Sequence, residues 1–124
     1  MKYVRLYTGP DGETHFEDRE METTVREFTA NVPPVTLSQT FPGTGVFFLY
    51  IRVTPEFEEV EFHTAPRKML VIQLKGVGEH EASDGTKRLF SAGDVAMLED
   101  VTGKGHRSKY LGEEVLYAMI PLTQ

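Results

Sequence analysis

Glycine and proline cut this chain into short pieces, and that division excludes most folds. The 124 residues include 11 Gly and 7 Pro. Between them lie segments that alternate in polarity or are rich in aromatic and β-branched side chains. Turn signals recur about every 8–12 residues, the spacing of sandwiches and barrels, and no stretch predicts a helix longer than about two turns. About ten short strands follow from this pattern, which places the chain in the all-β class, with the jelly roll as one common solution.

Strands are expected at Lys2 to Tyr7, as an edge, and at Thr14 to Asp18, separated by the turn Gly9-Pro10-Asp11-Gly12. Met21 to Phe28 suits either strand or helix, and Val32-Pro33-Pro34 cannot lie in a central strand. Val35 to Thr40 is a strand, and Gly45 to Val53 (GVFFLYIRV) reads as a central strand buried on both faces. Glu59 to His63 and Lys68 to Lys75 alternate, with Gly76 ending the second. Gly78 to Ala82 and Lys87 to Phe90 flank Asp84-Gly85, a strong hairpin signal. Val95 to Leu98 follows, and His106 to Tyr110 and Val115 to Ile120 form a last hairpin about Gly112-Glu113.

Composition narrows the function. There is no cysteine, so thiol nucleophiles, thiolate metal sites and iron–sulfur clusters are out. A net charge of −6 with dispersed acidic residues argues against nucleic-acid partners. The first residues lack a signal-peptide h-region, and the longest apolar run, Val46 to Ile51, is too short for a membrane helix. A cytoplasmic protein with no membrane partner is expected. Walker, dinucleotide and nucleophile-elbow motifs are absent.

Between Val60 and Pro121 the chain resembles the cupins. Their first motif carries a His-x-His pair, a Glu and a closing Gly, and their second a Pro-x-Gly turn, a His and an Asn. Gly76 matches the closing Gly, His63 the first His, and Ala65 and Met69 stand where the second His and the Glu belong. Phe90-Ser91-Ala92-Gly93-Asp94 resembles the turn of the second motif, and His106 its histidine, without the expected Pro and Asn. The opening Tyr7 to Glu13, His15 to Asp18, His63 to Arg67 and Glu99 to His106 also look like a subgroup of small bacterial cupins. The resemblance implies a single cupin domain over 1–124. It would be a double-stranded β-helix, or jelly-roll barrel, with an N-terminal strand arm over 1–34 and the barrel over 35–124.

In cupins the three histidines and the glutamate hold a metal. Here Glu61 and His63, two apart in a strand, would project together, and His106 would approach from the second motif. Such a two-His-one-carboxylate set suits one divalent transition metal (Zn, Mn, Fe or Ni) and leaves positions open for substrate. With Ala65 and Met69 at the other ligand positions, a metal-free pocket using His63 and His106 as hydrogen-bonding groups is the competing reading.

Further ligand-binding candidates are Arg67, whose fork suits a carboxylate or phosphate, Lys104 between two glycines, Met69, Glu99, and the strand tyrosines Tyr50 and Tyr117. Phe47, Leu49, Met69 and Met97 are candidate apolar walls. His15 and His80 are expected to be structural or exposed, and Glu99-Asp100 to form an acidic turn. The site would serve a metal-dependent isomerase or dioxygenase acting on a small anionic or hydroxylated compound. The alternative is a non-catalytic, metal-free metabolite-binding cupin. A homodimer is expected, because the strand-like stretch from Met1 to Phe28 would otherwise leave an open edge.

Overall fold

A computed structural model describes every residue except Glu59 and Gln124. The strands are β1 (Lys2–Thr8), β2 (Thr14–Glu20), β3 (Thr23–Arg26), β4 (Val35–Ser38), β5 (Phe47–Arg52), β6 (Met69–Ala82), β7 (Lys87–Phe90), β8 (Val95–Glu99) and β9 (His106–Pro121). A 3-10 turn, Pro55–Phe57, interrupts them. The protein is all-β, as the punctuation predicts. The main sheet runs β2-β1-β8-β6-β9-β5, with β7 paired to the far end of β6. All its pairs are antiparallel except β1 with β8. No pairing joins β2 to β5 among the described residues, so the sheet is open and not a closed barrel.

The sheet nevertheless curls. Phe16 on β2 and Phe47 and Leu49 on β5 border one shared cavity, although they belong to opposite edges. Strand alternation separates two apolar faces. The inner face holds Met69, Val71, Phe90, Ala96, Val115 and Tyr117. The outer face holds Leu70, Met97 and Leu122, packed with Tyr3, Phe41, Val95 and Ile120. Met97 is therefore not a cavity wall, since it points away from its neighbours Ala96 and Leu98, which do line the cavity. Leu6 is buried as well.

Several boundaries differ from expectation. Gly76 does not end a strand. It takes a left-handed φ of 81° inside β6, where the register with β9 shifts on either side of Lys75. Across from it, Gly112 takes φ 79° inside β9, so the expected Gly112-Glu113 hairpin is a bend in one continuous 16-residue strand. A bulged pair bends sharply, and this one carries the ends of β6 and β9 over the cavity. Strand β5 is an edge, not a strand buried on both faces: Phe47, Phe48 and Tyr50 are 46%, 64% and 55% exposed. An apolar run shows that a strand is favoured but not that both sides are covered. Of the expected strand Glu59 to His63, Glu59 lies outside the described residues, and only His63 forms a bridge, to His106.

The N-terminal region divides in two. Strands β1 and β2 are integral to the main sheet, while β3 and β4 form a separate two-stranded sheet. Residues 22–36 are exposed throughout, with Val25 and Phe28 each 69% exposed.

Candidate functional site

The inner face encloses a cavity of about 300 Å³ lined mainly by apolar side chains. Its polar groups come from few places. On β9, alternation puts His106, Ser108, Tyr110 and Tyr117 on the inner side. His80 comes from β6, directly opposite Ser108 in the register, and His63 and Thr64 from the loop before β6.

His106 is the best-held of these. Its Nδ1 lies 2.6 Å from Oδ2 of Asp100, which is fully buried. The His106 ring is tilted against the His63 ring, with centroids 4.9 Å apart. The His63 and His106 backbones exchange hydrogen bonds of 2.9 and 2.8 Å, and the Ala65 N–H donates to the Asp100 carbonyl at 3.0 Å. Gly105 permits this clasp: its φ is 79°, and a Cβ there would collide with the His63 carbonyl. Buried Thr14 donates from Oγ1 to the Gly105 carbonyl at 2.7 Å and exchanges hydrogen bonds with Ser83.

A second polar group centres on His80. His80 Nδ1 lies 2.7 Å from Ser108 Oγ, and the His80 ring packs edge-on against Phe90. Burial, with a smaller push from His106, lowers the His80 imidazole to about 4, so it is neutral near pH 7. Tyr117 is 5% exposed, and its hydroxyl has no hydrogen-bond partner among the described residues. Burial raises the Tyr117 and Tyr110 phenols, so both stay protonated.

The structure brings His63, His106, Met69 and Tyr117 together at this cavity, along with Phe47 and Leu49. It does not bring the rest. The Glu61 side chain is exposed and absent from the cavity wall, and Glu61 contributes only its backbone carbonyl, 2.9 Å from His63 Nδ1. Arg67 donates to the Leu122 carbonyl at 3.4 Å. Lys104 pairs with Glu13, Glu99 with Arg5 at 3.1 Å, and the Tyr50 hydroxyl with Glu114 at 2.6 Å. Each of these charged or polar groups is engaged within the chain, away from the cavity.

Two residues lie where local pattern does not place them. His80 is flanked by Glu79 and Glu81, which suggests a strand face toward water, yet alternation points it inward when its neighbours point out, and it bonds to Ser108. Asp100 was expected in an acidic turn, and only its backbone bond to Ala65 and its reach to His106 explain its burial. Ser108 and Tyr110 were legible in principle, two and four residues past His106 on one strand face.

A metal would find two imidazoles here. His63 and His106 each have Nδ1 engaged, which leaves Nε2 free and matches the supporting bonds of metal-bound histidine. The third donor is missing, because Glu61 points elsewhere. No three His, Cys, Asp or Glu side chains group suitably for a metal among the described residues. What the arrangement offers is a carboxylate-held imidazole facing an apolar space, able to accept a hydrogen bond or a proton from a bound molecule.

No family model matches the chain, and no curated protein matches it. Among the described residues no helix is long and apolar enough to cross a membrane.

Proposed function

We propose that the protein is a cupin-type jelly roll whose curled inner face binds a compact, mostly apolar small molecule without a resident metal. The observation that carries this reading is the 300 Å³ cavity, apolar for most of its wall, into which the buried Asp100–His106 pair opens. Its size is at the low end for ligand sites. Among the described residues no Arg or Lys lines it, so an anionic ligand would lose hydration without meeting a permanently cationic side chain. This favours the binding reading over the isomerase or dioxygenase, which would need the donor that Glu61 does not supply. The same reading takes the protein as a homodimer, supported by the β3–β4 hairpin, which joins no other strand and would be marginal alone.

Methionine methyl resonances test the binding site. The chain has five Met. Met69 and Met119 line the cavity, and Met97 sits on the opposite face. On titration with propylbenzene, the Met69 and Met119 signals should shift and saturate while Met97 stays in place. Equal shifts for all three, or none, would remove the site from this cavity. Stoichiometric metal after purification without chelator would overturn the metal-free form of the proposal.

A further inference from the structure

The Asp100–His106 pair is one polar group at the cavity, and the unpartnered Tyr117 hydroxyl is another. A Cβ placed on Gly78 would lie 2.8 Å from Tyr117 Oη and 3.0 Å from His80 Nε2. The two polar atoms therefore converge over Gly78, which has no side chain to keep them apart. His80 is fixed through Nδ1 by Ser108, which leaves Nε2 for another partner. A buried hydroxyl without a partner costs stability, so a fold retains one where something can meet it.

We propose that Tyr117 Oη and His80 Nε2 form a polar subsite for one uncharged hydroxyl or carbonyl group of a molecule whose remainder is apolar. The proposal rests on reading the cavity as a small-molecule site, and it names the ligand class. The subsite takes an uncharged group: His80 and Tyr117 are both neutral near pH 7, and among the described residues no Lys or Arg lines the cavity. The ligand oxygen accepts from the Tyr117 O–H. His80 donates or accepts at Nε2 according to which proton Ser108 leaves it, so both an alcohol and a carbonyl can be met. The apolar body then lies along Met69, Val71, Leu98 and Met119 toward His106.

The test compares 4-propylphenol with propylbenzene on the full chain, by calorimetry or by the methionine methyl shifts. A cavity without a polar subsite would bind the hydrocarbon and reject the phenol. Here the phenol should bind at least as tightly as the hydrocarbon. Tyr117→Phe should weaken the phenol about tenfold and leave propylbenzene within about twofold. Gly78→Ala keeps both side chains but forces them off the shared space, and it should show the same selective loss. It decides the question if Tyr117→Phe does not fold. If wild type prefers the hydrocarbon and neither variant discriminates, the subsite is wrong while the binding cavity stands. If neither compound binds, the cavity reading falls and the subsite with it.

Discussion

His80 is the residue whose protonation the fold opposes most clearly. Its imidazole titrates near 4 in the folded chain and near 6.5 when unfolded. Between those values the unfolded state binds the extra proton, so stability is unaffected by this group above pH 6.5 and declines below it. The decline should be about 2 kcal/mol between pH 6.5 and 5, above the range where carboxylates protonate. Urea unfolding at several pH values would measure it, and His80→Gln should flatten the slope in that interval. His15 works on the other side. Its hydrogen bond to Asp84, 2.9 Å long, raises it, so its contribution is present below pH 6.5 and is lost as pH rises through its folded value. A His80→Gln variant with an unchanged slope would show that the imidazole is better hydrated than its surroundings indicate. Neither behaviour was visible in the sequence, where both histidines sit among acidic neighbours. The difference is which face of the strand each one takes.

At the level of elements, glycine was the least legible residue. Gly12 and Gly85 mark turns as expected, while Gly76 and Gly112 look the same in sequence and bend continuous strands. A turn and a bulge both need a left-handed residue, and only the partner strand decides between them. Gly105 and Gly112 allow a controlled comparison, since their φ angles are both 79°. At Gly112 a side chain meets nothing within 4 Å, so Gly112→Ala should lose only the strain of the conformation, about 1 kcal/mol. At Gly105 the same change also breaks the clasp between His63 and His106, so the loss should exceed that of Gly112→Ala by about 2 kcal/mol or more. Denaturant midpoints would compare the two. Equal losses would mean that the clasp contributes nothing to stability. The hairpin at Asp84-Gly85 and strands β1, β2 and β8 were legible because local turn chemistry and alternation agree there, but β1 is not the expected edge: it lies between β2 and β8, a placement the parallel partner β8 decides. Strand β5 was misread as central because its neighbours are set by the whole topology. The site divides in the same way: His63 and His106 stood out by motif, whereas Asp100 came into it through backbone pairing that no local pattern records.

For the whole molecule, the two open edges and the projecting hairpin bear on assembly. Edge β5 exposes Phe47, Phe48 and Tyr50, and the hairpin exposes Val25 and Phe28. A lone soluble chain rarely leaves such surfaces bare. The homodimer reading predicts a light-scattering mass of twice the 14.0 kDa of one chain. Val25→Asp with Phe28→Asp should return the protein to a monomer with its circular dichroism unchanged, since both side chains are outside the core. A wild-type mass of one chain would remove the dimer from the proposal and leave the cavity untouched.

The bend at Gly112 lets a single strand visit the cavity twice, with His106, Ser108 and Tyr110 before it and Tyr117 and Met119 after it. Most of the polarity a ligand would meet is thus written in one short reading frame. A modest library randomised over that stretch would reprogram the chemistry of the pocket while the other strands keep its shape. A one-residue deletion in the same stretch would turn the pocket's vocabulary outward to solvent.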